Sequence, residues 1–300
     1  MKEEVKSEIR ENYEITYHTV KVDELDIFYR EAGNIANPTI LLLHGFPASS
    51  FMFRDLMSKL HGKFHLIAPD YPGFGHSSMP GVTQFRYDFD HLAAVIEKFT
   101  ENINLDRYSL YVQDYGAPVG FRMATRNPHK IQSLIIQNAN AYAENQTEFW
   151  QPIKELWNSK SDEAVSKILP LFELPTTIWQ YTAGARDLNR ISPDTWTIDQ
   201  ALLDRPGNKE IQLELLYNYR FDRELFDGWQ AYFRQEQPPA LIVWGKNDPI
   251  FPPDAPEIFR RDLDNIEIHY FEAGHFALEE HSDEIADLID EFLSTAQKFS

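Results

Sequence analysis

Thr39-Ile40-Leu41-Leu42-Leu43 is apolar almost from end to end. A strand with one wet face alternates apolar and polar residues, so an unbroken run marks a strand buried on both faces. Phe64–Ala68 reads the same way, and further β-prone runs stand at 110–112, Ser133–Gln137, Ala240–Trp244 and Ile266–Phe271. Between them apolar residues fall at helical spacing, most clearly Phe89, Leu92, Ala93, Val95, Ile96, Phe99 and Ile103. Helices are expected from Ser50 to Leu60, Asp88 to Ile103, Ala117 to Arg126, Ala255 to Asp262 and Ser282 to Phe299. Alternating strands and helices specify an α/β fold: a mostly parallel sheet with helices on both faces. Ahead of it, Tyr17–Val22 and Leu25–Tyr29 around Asp23-Glu24 read as a hairpin. Residues 1–12 are charged and expected to be frayed or loosely helical.

The alternation stops between residues 140 and 237. That stretch shows helical patterns, no clear buried strand, and Trp150, Trp157, Trp179, Trp196 and Trp229. It predicts a helical lid inserted between two strands of a core formed by residues 1–139 and 238–300. In open α/β sheets ligands bind beyond the carboxyl ends of the strands, where such a lid would sit.

Composition narrows the function. A formal net charge of −19 opposes nucleic acid and anionic membranes as partners. There is no Cys, hence no thiol nucleophile, disulfide framework or Cys-based metal site. The charged start, Met1-Lys2-Glu3-Glu4-Val5-Lys6, has no apolar stretch of the signal-peptide kind, and no run approaches the ~18 apolar residues of a membrane helix. A cytoplasmic protein acting on a small molecule is expected. Aromatic residues make up 14% of the chain; most serve a core, and the remainder suit an apolar pocket.

Four stretches follow strands and carry chemistry. Val112-Gln113-Asp114-Tyr115-Gly116 reads as a strand, a sharp turn and a helix, with Asp114 at the apex. His44-Gly45-Phe46-Pro47 follows Leu43. Gly245-Lys246-Asn247-Asp248-Pro249 follows the strand after the lid, and Ala273-Gly274-His275-Phe276 the last strand. Alone, an Asp after a strand is usually a helix cap, and an Asp before Pro a turn residue. Asp, Asp and His, each after its own strand, form a triad more readily than three coincidences. A carboxylate is ionised at pH 7 and needs no base to attack an sp3 carbon. His275 then activates water against the resulting ester, Asp248 orients the imidazole, and backbone N–H groups of Phe46 and Tyr115 hold the oxyanion. None of this requires a metal or organic cofactor.

The turn at Asp114 resembles the nucleophile elbow of the α/β-hydrolase fold, whose usual form is G-x-S-x-G, with Val112 at the first Gly and Asp at the Ser. The order nucleophile, acid, histidine is also that of the α/β-hydrolases. An Asp nucleophile in this fold resembles the epoxide hydrolases and the haloalkane dehalogenases, with fluoroacetate dehalogenases as relatives. His-Gly-Phe-Pro is similar to the first and third groups. Haloalkane dehalogenases usually carry Asn at the position of Phe46 and Trp at that of Tyr115. Fluoroacetate dehalogenases carry two Arg where this chain has Tyr115 and Pro118, and Arg122 is expected to point elsewhere.

Epoxide hydrolases use two lid tyrosines as acids. Asn218-Tyr219-Arg220 resembles the surroundings of one, and Tyr181 in Thr177-Ile178-Trp179-Gln180-Tyr181 stands where the other is expected. Trp179 resembles a halide-binding lid Trp. His44 is a candidate substrate contact or a structural histidine. At an alternative acid position this chain reads Asn138-Ala139-Asn140, and one of those Asn is a candidate to position water. The resemblance thus implies hydrolysis through an alkyl-enzyme ester, with an epoxide ahead of a haloalkane. A non-catalytic ligand-binding homologue is the alternative of another class.

Overall fold

The computed structural model describes residues 15–143 and 147–296; the expectation for residues 1–12 lies outside them. Eight strands form one sheet: β1 (Ile15–Val22), β2 (Leu25–Ala32), β3 (Thr39–Leu43), β4 (His65–Pro69), β5 (Tyr108–Gln113), β6 (Ile131–Gln137), β7 (Ala240–Gly245) and β8 (Ile266–Phe271). Their order is β1-β2-β4-β3-β5-β6-β7-β8. β1 and β2 form the antiparallel hairpin, β2 lies antiparallel to β4, and every later pair is parallel.

The strand sequences divide between two cores because neighbouring side chains leave opposite faces of a pleated sheet. Leu41, Leu43, Leu110, Val112, Ile136 and Ile242 belong to one cluster. Their neighbours Ile40, Leu42, Tyr111, Ile135 and Val243 belong to the other. Burying each such aliphatic side chain is worth about 1.5–3 kcal/mol, so both faces have to be covered. The helices Phe89–Asn102 and Gly116–Arg126 contribute to the first cluster. Arg54–Leu60 and Leu278–Ala296 contribute to the second.

Helix ends follow local chemistry. Asp88 accepts the His91 N–H at 2.8 Å and caps Phe89–Asn102. The helix expected from Ser50 opens as a 3₁₀ turn, Ser50–Phe53, before Arg54–Leu60. The last helix starts earlier than expected, at Leu278, and bends at His281; residues beyond 296 are not described.

Between β6 and β7 the described elements are all helical, and include Gln151–Asn158, Leu174–Thr182, Pro193–Leu203, Asn208–Asn218 and Asp222–Glu236. None of the described helices is long and apolar enough to cross a membrane.

The helix Gly116–Arg126 approaches β3 closely at the carboxyl ends. A Cβ on Gly116 would stand 2.2 Å from the Leu43 carbonyl oxygen. Backbone cannot swing aside as a side chain does. Gly116→Ala is expected to cost about 2–3 kcal/mol, read as a lowered urea midpoint at unchanged slope. An unchanged midpoint would mean that the turn yields freely.

Candidate active site

β3 and β5 are adjacent and parallel, with Leu43 opposite Val112. This register sets the loop after β3 beside the turn after β5. Asp114 occupies that turn with φ +48°, in the left-handed region that L-residues rarely adopt. Its Oδ1 accepts the Phe46 N–H at 2.8 Å, and it also takes a hydrogen bond from the Tyr115 N–H. A Cβ on Gly45 would come within 2.3 Å of the Asp114 Cβ, so only glycine fits beneath the carboxylate.

His275 and Asp248 arrive from the loops after β8 and β7. His275 Nδ1 lies 2.8 Å from Asp248 Oδ2, and His275 Nε2 lies 3.9 Å from Asp114 Oδ2. Asp248 is held from three sides. Its Oδ1 accepts the Ile250 N–H at 2.7 Å, and its Oδ2 accepts the Asn138 amide at 2.8 Å as well as the imidazole. Asn138 also accepts the Gly245 N–H at 2.9 Å, so it braces the acid loop.

Burial and charge oppose each other here. Burial pushes the Asp114 carboxyl up, while His275 and the two backbone donors pull it down; the net shift is upward. Burial pulls His275 down, but the charges of Asp248 and Asp114 outweigh it and leave the imidazole above its usual value. The group carries a carboxylate in reach of a buried imidazole, two N–H donors on that carboxylate and a buried orienting acid. Such a set can support nucleophilic attack, proton abstraction from water and oxyanion stabilisation.

Above Asp114 lies a space of about 430 Å³. The core contributes Phe46, Asp114, Tyr115 and Ile250; the helical insertion contributes Trp150, Phe172, Gln180 and Leu216 among others. Tyr219 is buried and stacks on Tyr115 with ring centroids 6.0 Å apart. Neither tyrosine hydroxyl has a hydrogen-bond partner among the described residues. Burial first, then nearby carboxylates that include Asp114, push both hydroxyls well above the usual tyrosine value, so both keep their protons.

Tyr219, packed against Tyr115 and Trp150, is not among the residues that line this space, and three further expected site residues are not brought to it. Tyr181 donates to Asp199, and its ring stacks on Phe276 at 4.0 Å. Trp179 is half-exposed and stacks on Phe149. His44 is fully buried beside Tyr71, its Nδ1 3.0 Å from the Gly45 carbonyl, and burial lowers its basicity. In the first two cases the rotation of one helix decides: Gln180, between Trp179 and Tyr181, is the residue that faces the space. Arg122 is paired with buried Asp222. Among the described residues no cluster of His, Asp and Glu is arranged to hold a metal.

Sequence reasoning missed Gln113, Gln180 and Trp150. Gln113 donates toward His275, and Gln180 is buried against the space with no hydrogen-bond partner among the described residues. The N–H of Trp150 is taken by the Ile250 carbonyl at 3.1 Å. A polar residue within an apolar strand, as Gln113 is, was the available signal.

The family model for the α/β-hydrolase fold matches residues 38–282. The chain belongs to the α/β-hydrolase family. It is 41% identical to the hydrolase YNR064C of Saccharomyces cerevisiae over 278 residues, covering 91% of this chain and 95% of that one. It is 28% identical to haloalkane dehalogenase 2 of Mycobacterium tuberculosis over 277 residues, covering 88% and 90% of the two chains. The solved haloalkane dehalogenase DbeA from Bradyrhizobium elkani shares the fold, with a TM-score of 0.76 at 20% identity, covering 95% of this chain and 100% of that one. As its relatives' names indicate, this member of the family is a hydrolase.

The Tyr181–Asp199 contact makes a prediction about stability. Burial drives Asp199 up to about 8 although the Tyr181 hydrogen bond pulls it down. The folded chain therefore keeps this proton over a range, from near 4 to about 8, in which the unfolded chain has lost it. Its contribution to stability falls as pH rises across that range. Relative to Asp199→Asn, the wild type should lose up to about 1.4 kcal/mol per pH unit, measured by urea unfolding from pH 5 to 8. Parallel pH curves for the two proteins would contradict the assignment.

Proposed function

We propose that this hydrolase uses Asp114 as a nucleophile on small, neutral, apolar substrates, with epoxides ahead of haloalkanes. The observation that carries the reading is the polar inventory around Asp114. Hydroxyls of Tyr115 and Tyr219 are unpartnered and protonated, whereas the Trp150 N–H is occupied and Trp179 lies elsewhere. A halide leaves as an anion and asks for N–H donors. An epoxide oxygen stays tethered and asks for a proton.

In the proposed sequence, an Asp114 oxygen bonds to a ring carbon as the ring C–O bond breaks. Tyr219 gives its proton to the departing oxygen, leaving a hydroxyalkyl ester on Asp114. The transfer runs downhill, since an alkoxide is more basic even than a buried tyrosinate. His275 next takes a proton from water, whose oxygen attacks the ester carbonyl carbon. The oxyanion lies on Asp114 and faces the N–H groups of Phe46 and Tyr115. Collapse expels the diol oxygen, which receives the proton from His275. The carboxylic acid left on Asp114 releases the proton that restores Tyr219. The helical insertion acts as a lid that keeps bulk water from the cavity.

The second reading, cleavage of a carbon–halogen bond, is favoured by the named dehalogenase relative and by the unpartnered Gln180 amide, which offers an N–H to a halide. One experiment separates the two. In a single turnover in heavy-oxygen water, with a mixed panel of epoxides and haloalkanes, label should enter the Asp114 peptide, and the consumed substrate identifies the class. Turnover without label in Asp114 sinks the ester mechanism. His275→Gln should let the ester accumulate, and Tyr219→Phe should slow epoxide opening about 100-fold or more while a haloalkane is unaffected.

The pH dependence has a defined sign. Hydrolysis of the ester needs neutral His275, whose basicity the Asp248 charge still supports when Asp114 is esterified, so this step should fade as pH drops through the His275 midpoint, which lies lower in the ester than in the free enzyme because the Asp114 charge is gone. Ester formation needs ionised Asp114 and should fade only toward more acid pH, around a midpoint above 3.8. Rapid-quench measurement of each step checks the order; a hydrolytic limb at or below the alkylation limb would contradict it.

A further inference from the structure

Gln113 ends β5, next to Asp114, and is fully buried. Its amide nitrogen lies 2.8 Å from His275 Nε2. On the other side of the same ring Nδ1 lies 2.8 Å from Asp248 Oδ2. A carboxylate can only accept, so Nδ1 carries a hydrogen and Nε2 of the neutral ring is a bare acceptor. The Gln113 amide therefore donates to the lone pair that must take a proton from water.

The other end of that amide has no role in this state. Gln113 Oε1 is buried without a hydrogen-bond partner. It is boxed in against Gly45, where an added Cβ would come within 2.5 Å of it. Half a turn of the amide exchanges its ends and brings Oε1 to Nε2. That contact is favourable once Nε2 carries a hydrogen, which is the imidazolium state.

The charged groups facing the ring among the described residues are Asp248 and Asp114, at 2.8 and 3.9 Å. The remaining ring neighbours are Phe251 and Phe276, with centroids 5.7 and 5.1 Å away. Gln137 reaches the backbone carbonyl of His275 rather than its ring. Esterification removes the carboxylate charge of Asp114 before His275 takes up the proton, and the oxyanion formed as it does so faces the N–H groups of Phe46 and Tyr115 rather than the ring. Gln113 Oε1 is then the acceptor left on the Nε2 side.

We infer that Gln113 is a positioning residue that follows the proton on His275, donating to the neutral imidazole and accepting from the imidazolium. The ring thereby stays aimed at Asp114 through both halves of the cycle. This rests on the proposed role of His275 as base. During hydrolysis the water O–H bond breaks, the Nε2–H bond forms, and Oε1 accepts from that N–H until the proton leaves with the diol oxygen.

The test is a titration of the unliganded protein labelled with 15N-histidine, comparing wild type, Gln113→Leu and Gln113→Glu. Loss of the acceptor in Gln113→Leu should lower the His275 midpoint by half a pH unit or more. A permanent acceptor in Gln113→Glu should raise it by a unit or more. If the amide is only a fixed donor, its removal relieves a repulsion toward the imidazolium, so a rise or no change in Gln113→Leu overturns the inference. In rapid-quench turnover of an epoxide, Gln113→Leu should form the Asp114 ester within threefold of the wild-type rate and hydrolyse it at least tenfold more slowly. Equal losses in both steps would instead make Gln113 a prop for the elbow and overturn the inference. Should the wild type form no ester while the titration shifts as expected, the catalytic reading fails and the Gln113–His275 coupling stands. Should the ester form without those shifts, the coupling alone fails.

Discussion

A carboxylate cannot be largely buried in a left-handed turn without compensation, and Asp114, its side chain 11% exposed, is in that position. Non-glycine residues in such a conformation cost on the order of 1–3 kcal/mol. Desolvation adds to that by raising the carboxyl above its ordinary value. Parallel pairing of β3 with β5 supplies the compensation. It places the Phe46 N–H on Oδ1 and brings Gly45 so close that no side chain fits between. The N-terminus of the helix Gly116–Arg126 adds favourable dipole charge. Strand register, two glycines and a helix start thus serve a single carboxylate.

The second constraint is that one imidazole faces two acidic residues. Asp248 is bound by a backbone N–H, the Asn138 amide and the ring, so its orientation is over-determined. Asp114 keeps a 3.9 Å separation from the ring, too long for a hydrogen bond. The imidazole consequently belongs to Asp248 and makes no hydrogen bond to either Asp114 oxygen. A shorter contact would tie the Asp114 carboxylate to His275 and blunt it for the attacking role proposed above. Asn138 and Gln113, both buried amides, set these spacings without adding charge to a strongly acidic chain.

The fold was legible because period and continuity survive in the linear chain. Thr39–Leu43 had to be a doubly covered strand, and the two clusters divide its residues one by one. The grouping of Asp114, His275 and Asp248 was legible for a related reason: each follows its own strand, and the carboxyl ends of parallel strands converge. The insertion was less transparent. Trp179, Gln180 and Tyr181 are consecutive helical residues whose directions differ by about 100° per step, at 3.6 residues per turn. The chemistry of their side chains favoured the aromatic pair, whereas tertiary packing turned Gln180 inward and paired Tyr181 with Asp199. Gln113 was hidden differently, since a polar residue in a strand declares burial only when its partner, 162 positions away, is known.

The cavity wall bears on which leaving group the site can serve. Its lining is dominated by aromatic and aliphatic side chains, and the polar groups on it are few. An anion released into such surroundings loses hydration that apolar walls do not replace. Stabilising a free halide would require several convergent N–H donors, and the Trp150 N–H is spent on a carbonyl. An oxygen protonated as its bond breaks never becomes a free anion. The tyrosines beside Asp114 retain their protons because the same low-polarity surroundings disfavour their ionisation. On the proposed reading, the burial that leaves few donors for a halide is also what keeps a proton available for an epoxide oxygen.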